Sequence, residues 1–341
     1  MKKYKNGFQD GVIGNKTLFI NQTKLINMII KNKKTGKKIL AHTYSVVARD
    51  PKTGEMGVGV QSHWFSVGSL VSWGEAGVGV VATQSLVNKS FGLRGLELLK
   101  QGKPPQEVID NLISDDEGKD VRQVAILDKE GRVATHTGVK CIKQAGHIVG
   151  ENFSVQANMM LSDKVWPAMA EAFTKNSSLP LPERIVKTLE AAESVGGDIR
   201  GKQSAALLIV AGEQPENIWD DPLIDLRIED HTDPLKELNR ILRVFRAYEH
   251  MNNGDIAIEE GDMVKALQDY AAAQKMFPEN LEMKYWTAIS LANNNKIEDA
   301  MTIFKEIFTI DNNWRILTER LPQSELLNIT KDELTKILSL K

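Results

Sequence analysis

The sequence predicts an α+β body over residues 43–232, followed by an all-α repeat segment over residues 233–341. Three observations carry this. β-rich runs alternate with pairs of helical patterns between Thr43 and Ile228. After Asp233-Pro234 the spacing of apolar residues is helical to the end of the chain. Within that second part a 34-residue period recurs, at Ala266 and Ala300 and again at Tyr270 and Phe304. A length of 341 residues also exceeds one ordinary core, at ~150 residues per domain.

Thr43 to Asp50 is β-rich, Pro51 to Gly54 is turn chemistry, and Met56 to Ser62 resumes a strand, so the body opens with a hairpin. Gly77 to Gln84 is a nearly continuous small and apolar run, expected of a strand covered on both faces. Its alternating glycines imply that something approaches the sheet closely there. Helices are expected from Phe91 to Lys100, ending at Gly102, and from Pro104-Pro105 to Ile113. A hairpin follows, with Arg122–Leu127 and Arg132–Thr137 joined by the turn Asp128–Gly131. His147 to Gln156 reads as a short strand pair. Val165–Phe173 and Glu183–Ala192 have helical spacing, and Ser204–Ala211 and Leu223–Ile228 return to strands. This order suggests helices on the outer faces of sheets.

In the second part Asp233 is expected to cap a helix that starts at Pro234. Gly261 to Tyr270, with Ala273 and Pro278, resembles the second half of a tetratricopeptide repeat. The next unit keeps Ala300 and Phe304 but has Asn295 where glycine is usual and Asn312 where proline is usual. Two repeats are expected, over 247–280 and 281–314, with a capping helix on either side.

The first forty residues carry ten lysines against one acid, Asp10, and no apolar run longer than three residues. Neither a secretory core of ~7–15 apolar residues nor a membrane span of ~20 is present. Residues 1–42 are therefore expected to be a basic, disordered leader, an upstream start with Met28 as an alternative, or a propeptide. The cytoplasm is favoured, with export left open by the choice of start codon. A net charge of −2 supplies no field to recruit nucleic acid. Cys141 is the only cysteine, so no internal disulfide or cysteine metal cluster can form. Oligomeric state is open, a homo-oligomer included.

No HExxH, Walker loop, GxGxxG turn or G-x-S-x-G elbow occurs, and the six histidines are scattered, so no metal or cofactor is called for. Ser62 and His63 do not form a catalytic pair, because adjacent strand residues point to opposite faces. What remains is chemistry that needs one hydroxyl. A threonine at a chain terminus can use its own α-amine as base, with a pKa of ~7.7–8.0. Thr43 opens the body directly after the leader, and cutting the His42–Thr43 bond would make it such a nucleophile; the competing reading is an ordinary strand threonine.

The blocks Thr43-Tyr-Ser-Val-Val-Ala-Arg-Asp50, Gly57-Val-Gly-Val-Gln-Ser62 and Ala76-Gly-Val-Gly-Val-Val-Ala-Thr-Gln84 resemble the family called domain of unknown function 1028. So do Arg122-Gln-Val-Ala, Thr137-Gly138 with Cys141, Ala145-Gly-His147, Gln156-Ala-Asn158-Met and Gly196-Gly-Asp198-Ile-Arg200-Gly-Lys-Gln-Ser204. The resemblance implies an amino-terminal-nucleophile (Ntn) hydrolase-like fold, a four-layer αββα sandwich, and a following helical segment labelled peptidoglycan-binding. It makes Thr43 the expected nucleophile and amine base. It departs from the family in placing Thr43 well inside the chain. Asn158 is a candidate oxyanion donor. Thr83, Gln84 and Ser85 are candidates to line the same cleft. Asp198 and Arg200 would hold a substrate carboxylate or close a turn by pairing with each other. The expected activity is hydrolysis of an amide, in a small molecule or in a peptide or peptidoglycan fragment. The alternative is a non-catalytic scaffold acting through its helical repeats.

Overall fold

A computed structural model of the chain describes Leu40–Ala41 and Thr43–Lys341. The expected disordered leader therefore lies outside the described residues, except at its end. There Leu40–Ala41 form a short strand, β1, because a neighbouring strand offers backbone groups for them to pair with.

Two antiparallel sheets form the body. One contains β1, β4 (Ser72–Glu75), β5 (Gly79–Leu86), β6 (Arg122–Asp128) and β7 (Val133–Thr137), in the order β1-β5-β6-β7 with β4 also on β5. The other runs β11 (Ile224–Ile228), β10 (Ser204–Val210), β3 (Met56–Ser62), β2 (Thr43–Arg49), β9 (Phe153–Ala157), β8 (Gly146–Gly150). The opening hairpin β2–β3 and the hairpin β6–β7 form as the turn residues predict. The turn α1 (Gly68–Val71) and strand β4 were not expected: at four residues each they are too short to show a period.

Alternation along the strands decides what each face meets. On β2, Tyr44, Val46 and Ala48 join a core with Met169 and Phe173 of α4 (Val165–Lys175) and Ile185 and Leu189 of α5 (Leu181–Ser194). Gly59 lets α5 lie close to β3, since a Cβ there would fall 2.3 Å from Ile185 Cγ2. On the first sheet Val81, Val124 and Ile126 pack against Phe91 and Leu96 of α2 (Ser90–Lys100) and Val108 and Leu112 of α3 (Pro105–Ser114). The close approach expected of the Gly77–Gln84 run occurs at Gly79, where a Cβ would meet Leu127 O at 2.4 Å.

The C-terminal region is helical: α6 (Pro234–Glu259), α7 (Met263–Met276), α8 (Leu281–Asn293), α9 (Ile297–Ile310), α10 (Asn313–Arg320) and α11 (Lys331–Leu338). Leu235, Leu238 and Leu242 bury the first turns of α6 in the body's core, and Arg246 is bonded to Glu183 of α5 at 2.8 Å. Asp233 does not cap α6 through its side chain; its carboxylate is drawn to Lys202 at 3.3 Å instead. The 34-residue period survives in three dimensions. Ala266 and Ala300 are fully buried, as are Tyr270 and Phe304 within 2%. Gly261 and Asn295 both have positive φ, 78° and 60°, so asparagine replaces glycine at a left-handed position it tolerates. No helix among the described residues is long and apolar enough to cross a membrane.

Candidate functional site

Thr43 begins β2 and is fully buried. In register it lies beside Ser62 of β3, which lies beside Ser204 of β10, so three hydroxyl side chains stand in a row on the face turned toward the other sheet. Ser204 donates to Trp64 O at 2.5 Å and accepts from Val67 N at 3.1 Å, which pins the loop leaving β3.

The Thr43 carbonyl is held from two directions. Asn158, just past β9, donates to it from its backbone N at 3.1 Å and from Nδ2 at 3.3 Å. Gln84 of β5 reaches across from the opposite sheet with Nε2 at 3.2 Å. Behind these sits Gln123 of β6, whose Oε1 accepts from Gln84 Nε2 at 2.7 Å and from Asn158 Nδ2 at 2.9 Å. Its Nε2 donates to Thr137 Oγ1 and to Ala157 O, both at 2.9 Å. Ser45 continues the seam, donating to Gln84 Oε1 at 2.7 Å and accepting from Gln156 Nε2 at 2.6 Å. Ser45, Gln84, Gln123, Gln156 and Asn158 are all fully buried. Burial makes each of these bonds matter, because a polar group left unmet here costs about 1–3 kcal/mol.

The expected site residues separate into three groups. Gln84 and Asn158 meet at Thr43. Asn158 already gives its amide to Thr43 O and Gln123 Oε1, so in this arrangement it orients Thr43 and does not present that amide to an oxyanion. Thr83 is not brought to Thr43: it shares a strand face with Val81, toward α2 and α3, and its Oγ1 bonds to Asn88 O at 3.4 Å. Ser85 is buried at the point where β5 pairs with Ala41, and its φ of 71° places a non-glycine residue in the left-handed region, at a cost of roughly 1–2 kcal/mol. Asp198 and Arg200 pair with each other, Nη2 to Oδ2 at 2.7 Å and Nε to Oδ1 at 3.0 Å. Asp198 also accepts from His63 N at 3.2 Å, so it ties the loop after β3 to the approach to β10.

Sequence reasoning missed Gln123, Gln156 and Ser45. A signal existed: Gln84, Gln123 and Gln156 each interrupt an apolar strand with the same side chain, and all three face the seam. His147 touches this network through Thr137 Oγ1 at 2.8 Å, and burial holds its imidazole below the ordinary value, in the neutral form. On the outer face Tyr44 donates to Glu193 at 2.6 Å; burial pushes the Glu193 carboxyl up and raises the Tyr44 phenol well above its ordinary range.

The chain changes sheets at this point. Leu40 pairs with Leu86 and Ala41 with Ser85 on β5, whereas Thr43 pairs with Ser62 in the second sheet. Among the described residues no three His, Cys, Asp or Glu side chains converge as a metal site requires. The Cys141 thiol is pushed up by burial, so it is a poor nucleophile.

A family model described as "Family of unknown function (DUF1028)" matches residues 43–238. The crystal structure of protein SPO2555 from Silicibacter pomeroyi, which carries the same family label, is similar with a TM-score of 0.54 and 29% sequence identity. The similarity covers 60% of this chain and 85% of that one. No curated protein matches the chain.

Proposed function

The chain belongs to the family of unknown function DUF1028, and from that membership and the surroundings of Thr43 we propose an amide-bond hydrolase of the amino-terminal-nucleophile type. The observation that carries it is the Thr43 carbonyl, held by donors from both sheets at the residue where the chain leaves one sheet for the other. Any buried carbonyl needs a donor, but donors from both sheets also hold Thr43 in one orientation, and a nucleophile gains from that. The reading is also supported by helices lying against each sheet, α2 and α3 on one and α4 and α5 on the other, which suits a four-layer αββα sandwich.

Cleavage of the His42–Thr43 bond would expose the α-amine. That amine takes the Thr43 hydroxyl proton as Oγ attacks the substrate carbonyl carbon. The C–N bond breaks, the leaving amine takes the proton, and water hydrolyses the ester left on Oγ. Gln84, Asn158 and Gln123 keep the nucleophile in place. Ser85 lies on the stretch of β5 that removal of residues 1–42 would leave unpaired and open to a substrate, and Asp198 with Arg200 shapes the loop after β3. A small amide or a peptide or peptidoglycan fragment would serve as substrate.

Intact-mass measurement of the active protein tests this first. The expected chain begins at Thr43; an active chain that still carries residues 1–42 overturns the mechanism. The second reading is a binding protein acting through tetratricopeptide-like helices, and the observation that favours it is an open groove among those helices.

A further inference from the structure

Helices α6 and α8 enclose a groove of about 540 Å³. Its walls are Met251, Ile258, Met283, Trp286 and Ile289, and Leu326 stands at its end. Among the described residues three carboxylates line it, Asp255, Glu259 and Glu282, and no lysine or arginine does. Two of them accept a neutral hydroxyl: Asp255 from Tyr270 and Glu282 from Tyr248, each at 2.6 Å. Among the described residues none of the three is in an ion pair. Acids of α6 that face elsewhere are paired. Glu249 meets Arg246 at 2.7 Å, and Glu237 meets Arg240 at 2.6 Å. The groove therefore holds negative charge beside apolar walls, with no counter-ion among the described residues.

Ser290 stands on the same wall, buried beside Tyr270, whose hydroxyl is turned to Asp255. The shape of the groove indicates what kind of ligand fits. Tyr248, Asn252, Asp255 and Glu259 recur along one face of α6, a span of about 16 Å at ~1.5 Å per residue. That is the length of about five residues of extended chain.

We propose that this groove binds an extended peptide segment carrying a lysine between apolar residues. The ammonium sits among Asp255, Glu259 and Glu282, over the half-buried face of Trp286, where ring and carboxylates attract it together. The apolar neighbours lie on Met251 and Met283, whose flexible side chains accept more than one shape. The assignment gives chemistry to the binding reading of the helical region and does not depend on Thr43.

Calorimetric titration of the full chain tests it, using an N-acetylated, C-amidated pentapeptide with leucine on each side of a central lysine. The same peptide with acetyl-lysine is the control, since it keeps the length and loses the charge. The lysine peptide is expected to bind at least ~10-fold more tightly than the control, with affinity falling as salt is added. Glu259→Gln, at an exposed position, should remove much of that difference, and Asp255→Asn with it should remove the rest. Thr43→Ala should leave binding unchanged, which separates this site from the hydrolase. Equal binding of the two peptides, no binding of either, or a preference for lysine that survives the double variant overturns the proposal.

Discussion

The seam between the two sheets and the interior of the helical region are equally buried but differ in chemistry. Around Thr43 the side chains are Ser45, Gln84, Gln123, Gln156 and Asn158, joined by hydrogen bonds. Between α8 and α9 they are Tyr285, Ala288, Ala300, Phe304 and Ile307, and they meet by contact. Contact stabilises without choosing a direction, so it tolerates changes of shape at constant volume. A hydrogen-bonded seam stabilises less per group but fixes orientation, and it fails when one member is lost. The first leaves a region free to vary in shape; the second holds each atom in a set direction.

This contrast can be broken in four ways. Thr43→Ala should have the largest effect: a loss of activity of roughly 10³-fold or more, with circular dichroism and melting temperature little changed. A folded variant that keeps its activity would return Thr43 to the role of a strand residue. Phe304→Ala should cost about 3–5 kcal/mol in urea unfolding, while Phe304→Leu should cost under ~1.5 kcal/mol, because volume is what that core measures. Gln123→Leu, although similar in size, should cost about 2–3 kcal/mol, since it leaves the amides of Gln84 and Asn158 unmet. It should also lower kcat more than it raises KM. If Gln123→Leu were as mild as Phe304→Leu, the seam would be mere packing.

The smallest effect concerns Glu193. Its carboxyl is raised by burial in the folded state, so the folded chain holds that proton more tightly than the unfolded one. Stability from this group is complete below the unfolded value and is lost as pH rises through the folded one. Glu193→Gln should therefore raise the melting temperature at neutral pH and leave it unchanged near pH ~3.5, below the ordinary carboxylate value of ~4.3. A gain of the same size at both pH values would assign the effect to packing around Tyr44 instead.

Much of the fold was legible in the residues. Alternation and turn chemistry placed β2, β3, β6 and β7, and proline at a first helical turn placed α3 and α6. The 34-residue spacing links residues that the structure buries at equal depth, such as Tyr270 and Phe304. The site was legible only in part. Thr43, Gln84 and Asn158 stand out by position, but Gln123 carries no local mark of its place behind all three. Thr83 and Ser85 flank Gln84 in sequence and were expected to act with it, yet the pleat turns their side chains away.

Sequence alone therefore determined most of the segments that become strands and helices, with β1, β4 and α1 as the exceptions. These follow from interactions within a few residues: period, capping and turn preference. Only tertiary structure decided that glutamines from three distant strands would meet behind Thr43, and that three acids of α6 and α8 would share one groove with no cation among the described residues. Those outcomes depend on how sheets stack and helices cross, and contacts between residues far apart in the chain leave no local period to read.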